Sequence, residues 1–182
     1  HAYIGGALMR KLVLGMLAAL TVIACDDNPT NPSVQATYFA PLNSSSEVPS
    51  NTSIAVGQAN FRLNAAGTEL TYDLVSKDIS NIVQAHIHIA PEGVNGPIVQ
   101  FLFGLVAAGG GPQVDDVVAK GTIDGSSFTG TLQNRPFSEL IAAIEAGNAY
   151  VNVHTNDGVA PTNTGPGDFP GGEIRGQIRK LQ

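Results

Sequence analysis

Only one cysteine, Cys25, occurs in the 182 residues, and tryptophan is absent. A single thiol excludes an internal disulfide framework and a multi-cysteine zinc site. Lys and Arg number nine against fifteen Asp and Glu, too few for a broad nucleic-acid surface. No G-x-S-x-G nucleophile elbow is present. Gly165-Pro166-Gly167 is followed by neither a lysine nor a helix, so it is no phosphate cradle. These absences leave hydrolase and nucleotide chemistry without support and suggest a non-enzymatic protein. Glycine (21) and proline (11) make the chain rich in turns, but below the roughly 25–30% that marks disorder.

The first part of the chain reads as an address. Met9-Arg10-Lys11 is a basic start, and Leu12 to Ala24 carries no charge. That run is shorter than the about 20 helical residues needed to span a bilayer core, and it fits a secretory signal. It closes on Val22-Ile23-Ala24-Cys25, which resembles a bacterial lipobox, with Cys25 as the lipidated residue. The expected organisation is an upstream extension over 1–8, a signal peptide over 9–24, a lipidated cysteine and polar tether over 25–36, and a β domain over 37–182. Cleavage before Cys25 would remove Arg10 and Lys11 but no acidic residue, leaving an acidic chain held to a membrane by its lipid. The expected location is therefore extracytoplasmic, anchored to a bacterial membrane.

Beyond Thr37, alternation with a period of two recurs: Ala59, Phe61 and Leu63; Leu70, Tyr72 and Leu74; Ala85, Ile87 and Ile89; Phe128 and Leu132 about Gly130; Val151 and Val153; Ile174 and Ile178. Each pattern predicts a strand with one face in a core and one in water. Turn signals at Asn64-Ala65-Ala66-Gly67, Asp124-Gly125 and Gly171-Gly172 separate them. One helix is expected with Pro136 at its first position, Phe137, Leu140, Ile141 and Ile144 as its apolar stripe and Gly147 just past its end. Gly109 to Pro112 and Thr155 to Gly172 are read as irregular. The fold class is all-β, a sandwich or barrel with one short helix.

His86 and His88 are two residues apart on a predicted strand, so both rings leave the same face about 7 Å apart at the backbone. His154 also lies opposite an apolar face, that of Val151 and Val153. If the two strands are neighbours, three neutral imidazoles form a site suited to zinc or copper. Asp157 or Asp168 would then be a fourth ligand or a partner to one. The alternative is structural: His86 donates to a carbonyl, and His88 and His154 pair with Asn95, Asn152 or Thr155. Glu173 and Arg175 share a strand face and are expected to form an ion pair. Gly93 and Gly96 are expected to supply positive φ in a tight turn.

Three segments together resemble the CHRD domain, the repeated module of animal chordin that also occurs in bacterial secreted proteins. The first is Ala40-Pro41-Leu42 with Glu47-Val48-Pro49. The second is Ala85-His86-Ile87-His88 running on to Gly93-Val94-Asn95-Gly96-Pro97-Ile98-Val99. The third is Gly147 to Thr155, including Asn152, closed by Gly172-Glu173-Ile174-Arg175-Gly176-Gln177-Ile178. The resemblance implies a Greek-key barrel similar to the copper/zinc superoxide dismutases, with Glu47, Asn95, Gly96, Asn152, Glu173 and Arg175 as structural motif residues. It implies no settled activity. Two departures stand out: Ile89-Ala90-Pro91-Glu92 replaces a glycine-containing turn, and the stretch from Asn156 to Gly171 is longer than the usual link.

The function expected first is a membrane-anchored binding module that presents loops to an extracellular protein or glycan. A copper- or zinc-binding envelope protein is the alternative, and a self-assembling structural component a second. Dismutase chemistry at an imidazole-bridged metal pair needs more histidines than these three.

Overall fold

A computed structural model describes residues 1–2 and 34–181. The expected signal peptide, the lipobox at Cys25 and most of the tether lie outside the described residues. The described residues contain nine strands: β1 (Val34–Asn43), β2 (Val56–Asn64), β3 (Leu70–Lys77), β4 (Ile82–Ile89), β5 (Ile98–Gly104), β6 (Val117–Ile123), β7 (Ala149–Thr155), β8 (Ile174–Gln177) and β9 (Arg179–Lys180). β1 begins within the stretch read as tether.

All strands join one antiparallel sheet in the order β5-β4-β7-β8-β1-β2-β3-β6, with β9 beside β1. The neighbours β3/β6, β4/β7 and β1/β8 are far apart in sequence, which makes the connections Greek-key crossovers. The sheet curls until its two edges nearly meet. Tyr72 on β3 reaches across to donate to the carbonyl of Leu102 on β5 at 2.8 Å, and the amide of Thr129 donates to Val99 O at 2.9 Å. The all-β barrel expected from the alternation is the observed fold.

The core follows from the registers. Ala85 pairs with Val153 and Ile87 with Val151 across β4/β7, and Val153 pairs with Ile174 across β7/β8. All five side chains are buried. The aliphatic ones stabilise the fold by about 1.5–3 kcal/mol each. Leu140 and Ile144 from α1 (Phe137–Glu145), the one α-helix among the described residues, close one end of this core. Pro136 stands one residue before the helix as its N-cap, and Gly147 adopts φ +71° just beyond it. Tyr38 Oη donates to Glu145 at 2.7 Å and ties the helix end to β1.

Three expectations are corrected. Phe128 to Leu132 is not a strand: Gly130 to Leu132 forms a 3₁₀ turn. Gly130 sits at φ +57° with its α-carbon against Ile98 O, where an added Cβ would clash. The two apolar side chains therefore reach the core from a turn. Second, β5 and β6 were not picked out by alternation. β5 reads Ile98-Val99-Gln100-Phe101-Leu102-Phe103, a nearly continuous apolar run without a period of two, and β6 is half-exposed along most of its length. Third, β7 and β8 have no water face, because every one of their residues is buried. The loops from 44 to 55, 90 to 97 and 156 to 172 fold over the outer side of these strands.

Candidate metal centre on the covered outer face

The side chains opposite the core form rows across β5, β4, β7 and β8. Phe101 pairs with His86, His86 with Asn152, and Asn152 with Arg175. One step along, His88 pairs with Tyr150 and Tyr150 with Gln177. His154 lies diagonally from His86, opposite Gln84. Diagonal side chains in an antiparallel pair are within reach of rings of this size. The result is a triangle of imidazoles, with ring centroids 4.9 Å apart for His86–His154, 5.5 Å for His86–His88 and 6.1 Å for His88–His154. One ring nitrogen from each lies within 4.8 Å of the others.

Two of the three loops over this face each hold one ring. His88 Nδ1 bonds to Gly96 O at 2.9 Å, and His154 Nδ1 bonds to Pro170 O at 2.9 Å. A carbonyl only accepts, so each Nδ1 carries the proton and each Nε2 presents a lone pair. Neither Nε2 has a partner, and neither nitrogen of His86 has one. Of the structural pairings expected for these rings, none is made: His86 donates to no carbonyl, and no bond joins His88 or His154 to Asn95, Asn152 or Thr155.

Burial keeps the rings neutral. Desolvation pushes His86 down to about 3, helped by the neighbouring His154 and His88. Desolvation likewise takes His88 to about 4, with His154 and Arg175 adding to the effect. His154 is lowered by desolvation, partly offset by its bond to Pro170. Neutral imidazole is the form that ligates metal.

The surrounding frame was only partly expected. Tyr150 stacks on His88 with centroids 4.7 Å apart, and Arg175 lies over the Tyr150 ring at 3.4 Å. The Phe101 ring meets His86 edge-on at 4.5 Å. Tyr150 shares the face of Asn152 and His154 by the period of two, so alternation contained that signal. Phe101 sits in an unpatterned apolar run and gave none.

Glu173 and Arg175 are both buried, but they do not bond to each other. Arg175 donates to Asn95 Oδ1 at 2.9 Å and Val94 O at 2.8 Å. Glu173 accepts from Ser53 Oγ, Thr155 Oγ1 and Gly167 N, and so fastens two covering loops. The pairing fails because Glu173 precedes β8 and turns toward the 156–172 loop. Gly96 does not have positive φ. It is needed because an added Cβ would strike Ile89 O and Ala90. Gly93 does adopt φ +78°.

Neither Asp157 nor Asp168 joins the histidines. Asp157 caps its own turn by accepting from Val159 N at 2.8 Å. Asp168 is buried and accepts from Thr164 N and Oγ1 at 3.0 Å. Both are drawn into the loop's own turns.

Glu47 is buried beside Asn152, which donates to its Oε2 at 3.3 Å. Desolvation pushes its carboxyl up to about 7 against the opposing pull of Arg175. Glu47 also lines two clefts of about 210 and 260 Å³. A cleft of about 340 Å³ between Val56, Val75 and Asp116 contains none of these groups.

The profile of the CHRD domain matches residues 38–178. The chain belongs to the CHRD-domain family. Comparison with curated proteins and with solved structures returns no match. The match runs from β1 through β8 and takes in all three histidines and the frame residues Glu47, Asn95, Asn152, Glu173 and Arg175. In this CHRD domain the second and third motif segments meet as β4 and β7, and the first and third meet where Glu47 accepts from Asn152.

Proposed function

We propose that this CHRD-domain protein binds one transition-metal ion, copper or zinc, through His86, His88 and His154. The observation that carries the reading is four buried imidazole nitrogens, in one cluster, without a hydrogen-bond partner. A buried polar atom left unpaired costs about 1–3 kcal/mol, and a metal ion satisfies three such atoms at once. Carbonyl bonds to the far nitrogens of His88 and His154 are the outer-shell pattern of ligating histidines. The fit is also metric. Three points no more than 4.8 Å apart lie within about 2.8 Å of a common centre, so inward shifts of under about 1 Å reach the 2.0–2.1 Å of metal–imidazole bonds.

Elemental analysis tests this reading. Protein from metal-replete medium carries close to one copper or zinc per chain, and the H86A/H88A variant carries none. Equal metal in both, or none in the parent, refutes it.

The extracytoplasmic, lipid-anchored placement belongs to the same proposal and rests on the basic start, apolar run and Cys25. Labelling with a fatty-acid analogue, lost in Cys25→Ser, tests it. A second reading, a module that holds an extracellular protein or glycan without metal, is favoured by the two clefts at Glu47. It predicts no metal in the parent protein.

A further inference from the structure

We infer that the histidine triangle selects monovalent copper over divalent zinc and divalent copper. This deepens the proposed metal site and depends on it. Three features of the site point to the charge of the ion. The donors are all neutral: among the described residues, no carboxylate or thiol joins the three rings. Asp157 and Asp168, the two acidic residues of the covering loop, accept from that loop's own turns through Oδ1 and Oδ2 respectively. A cation is already nearby. Arg175, 2% exposed, lies on one face of Tyr150 while His88 lies on the other. Its guanidinium, 3.4 Å from the centre of the ring on which His88 stacks, opposes any added positive charge there. The site is also dry: His86 is fully buried, and His88 and His154 are 7% and 6% exposed.

The cost of burying an ion rises as the square of its charge. A divalent ion held only by neutral donors in this setting therefore costs about four times as much to desolvate as a monovalent one. Zinc in protein sites almost always takes four ligands, and here the fourth position must be filled from solvent against the Phe101 ring and the covering loops. Monovalent copper has a filled d shell and is satisfied by three nitrogens in a plane. The three ring nitrogens, within 4.8 Å of one another, reach that arrangement by inward shifts of under about 1 Å.

The experiment uses the full chain in mild detergent, as Cys25→Ser so that no thiol competes. Metal-free protein is titrated without oxygen against cuprous ion held by a chromophoric chelator, and separately against zinc and cupric ions. The expected result is one cuprous ion per chain, with zinc and cupric affinities at least about 100-fold weaker, some 2.7 kcal/mol. X-ray absorption of the cuprous complex is expected to show three nitrogen donors and no sulfur. Zinc or cupric affinity equal to or above the cuprous value overturns the selectivity while leaving the site standing. A fourth donor in the absorption spectrum of the cuprous complex also overturns it. Failure of all three ions to bind overturns the selectivity and the metal site together. Both readouts use a chain with every histidine intact, so misfolding of a histidine variant cannot imitate either outcome.

Discussion

The imidazole of His88 lies flat on the ring of Tyr150, with planes 6° from parallel. The far face of that ring carries Arg175. The three residues form one stack because β4, β7 and β8 are adjacent: His88 pairs directly with Tyr150, and Arg175, which pairs with Asn152, reaches the Tyr150 ring diagonally. The stack and the bond to Gly96 O hold the His88 ring in place with its Nε2 free.

Tyr150→Phe keeps the stack and removes the oxygen that accepts from Gly96 N at 3.1 Å. It is expected to lower stability by about 0.5–1.5 kcal/mol and leave metal affinity nearly unchanged. Tyr150→Ala removes the ring as well, costs about 3–5 kcal/mol, and frees His88 to turn. Metal affinity should fall about 10–100-fold. Chemical denaturation and competitive metal titration check both variants.

Gly96→Ala acts on the same ring from the other side. An added Cβ would strike Ile89 O, and the shift this forces on residue 96 moves its own carbonyl, which holds His88 Nδ1. The variant is expected to lose about 1–3 kcal/mol through overpacking. It should also bind metal more weakly than a variant at Gly147, where nothing crowds an added Cβ. Thermal melts with and without metal separate the two effects.

The face of the metal site was legible in the sequence to the extent that alternation encodes direction. His86 and His88 on one strand, and His154 opposite Val151 and Val153, were sorted correctly because a period of two fixes which side chains share a face. Alternation could not show that β4 and β7 are neighbours, which depends on crossovers between segments some sixty residues apart. Nor could it show that the outer face is covered. The burial of Glu47, Glu173 and Arg175 comes from three loops folding over β7 and β8, and loop packing has no periodic signature. Asp157 or Asp168 was expected as a fourth ligand or a partner to one because both lie in the long loop after His154, but short-range turns hold both of them.

Two opposing pH effects are expected in the metal-free protein. His86 and His88 have folded pKa values near 3 and 4, below the ordinary 6.5 of the unfolded chain, and His154 shifts the same way. The unfolded state then binds more protons, so stability is full above 6.5 and falls as pH drops toward 4. Glu47 behaves oppositely. Its pKa near 7 lies above the 4.5 of the unfolded chain, so its contribution is present below 4.5 and is lost as pH rises through 7. Glu47→Gln should therefore gain stability relative to the parent as pH increases from 4.5 to 7. A flat difference between the two across that range would contradict the buried state of Glu47. Urea denaturation at stepped pH measures it.

Glu173→Ala removes the acceptor shared by Ser53, Thr155 and Gly167. Each buried donor left without its acceptor costs about 1–3 kcal/mol. The 156–172 loop should also exchange its amide hydrogens faster, because Gly167 N and the Thr155 hydroxyl that accepts from Phe169 N both lose their anchor. Hydrogen exchange read by mass spectrometry is the check, with β2 and β3 as the unchanged reference.

The most direct test is anomalous diffraction from crystals of the metal-loaded protein, recorded at the absorption edge of the metal. The account predicts one strong peak about 2.0–2.1 Å from His88 Nε2, His154 Nε2 and a ring nitrogen of His86. A peak elsewhere, or none among these three rings while the crystals contain the metal, would contradict it.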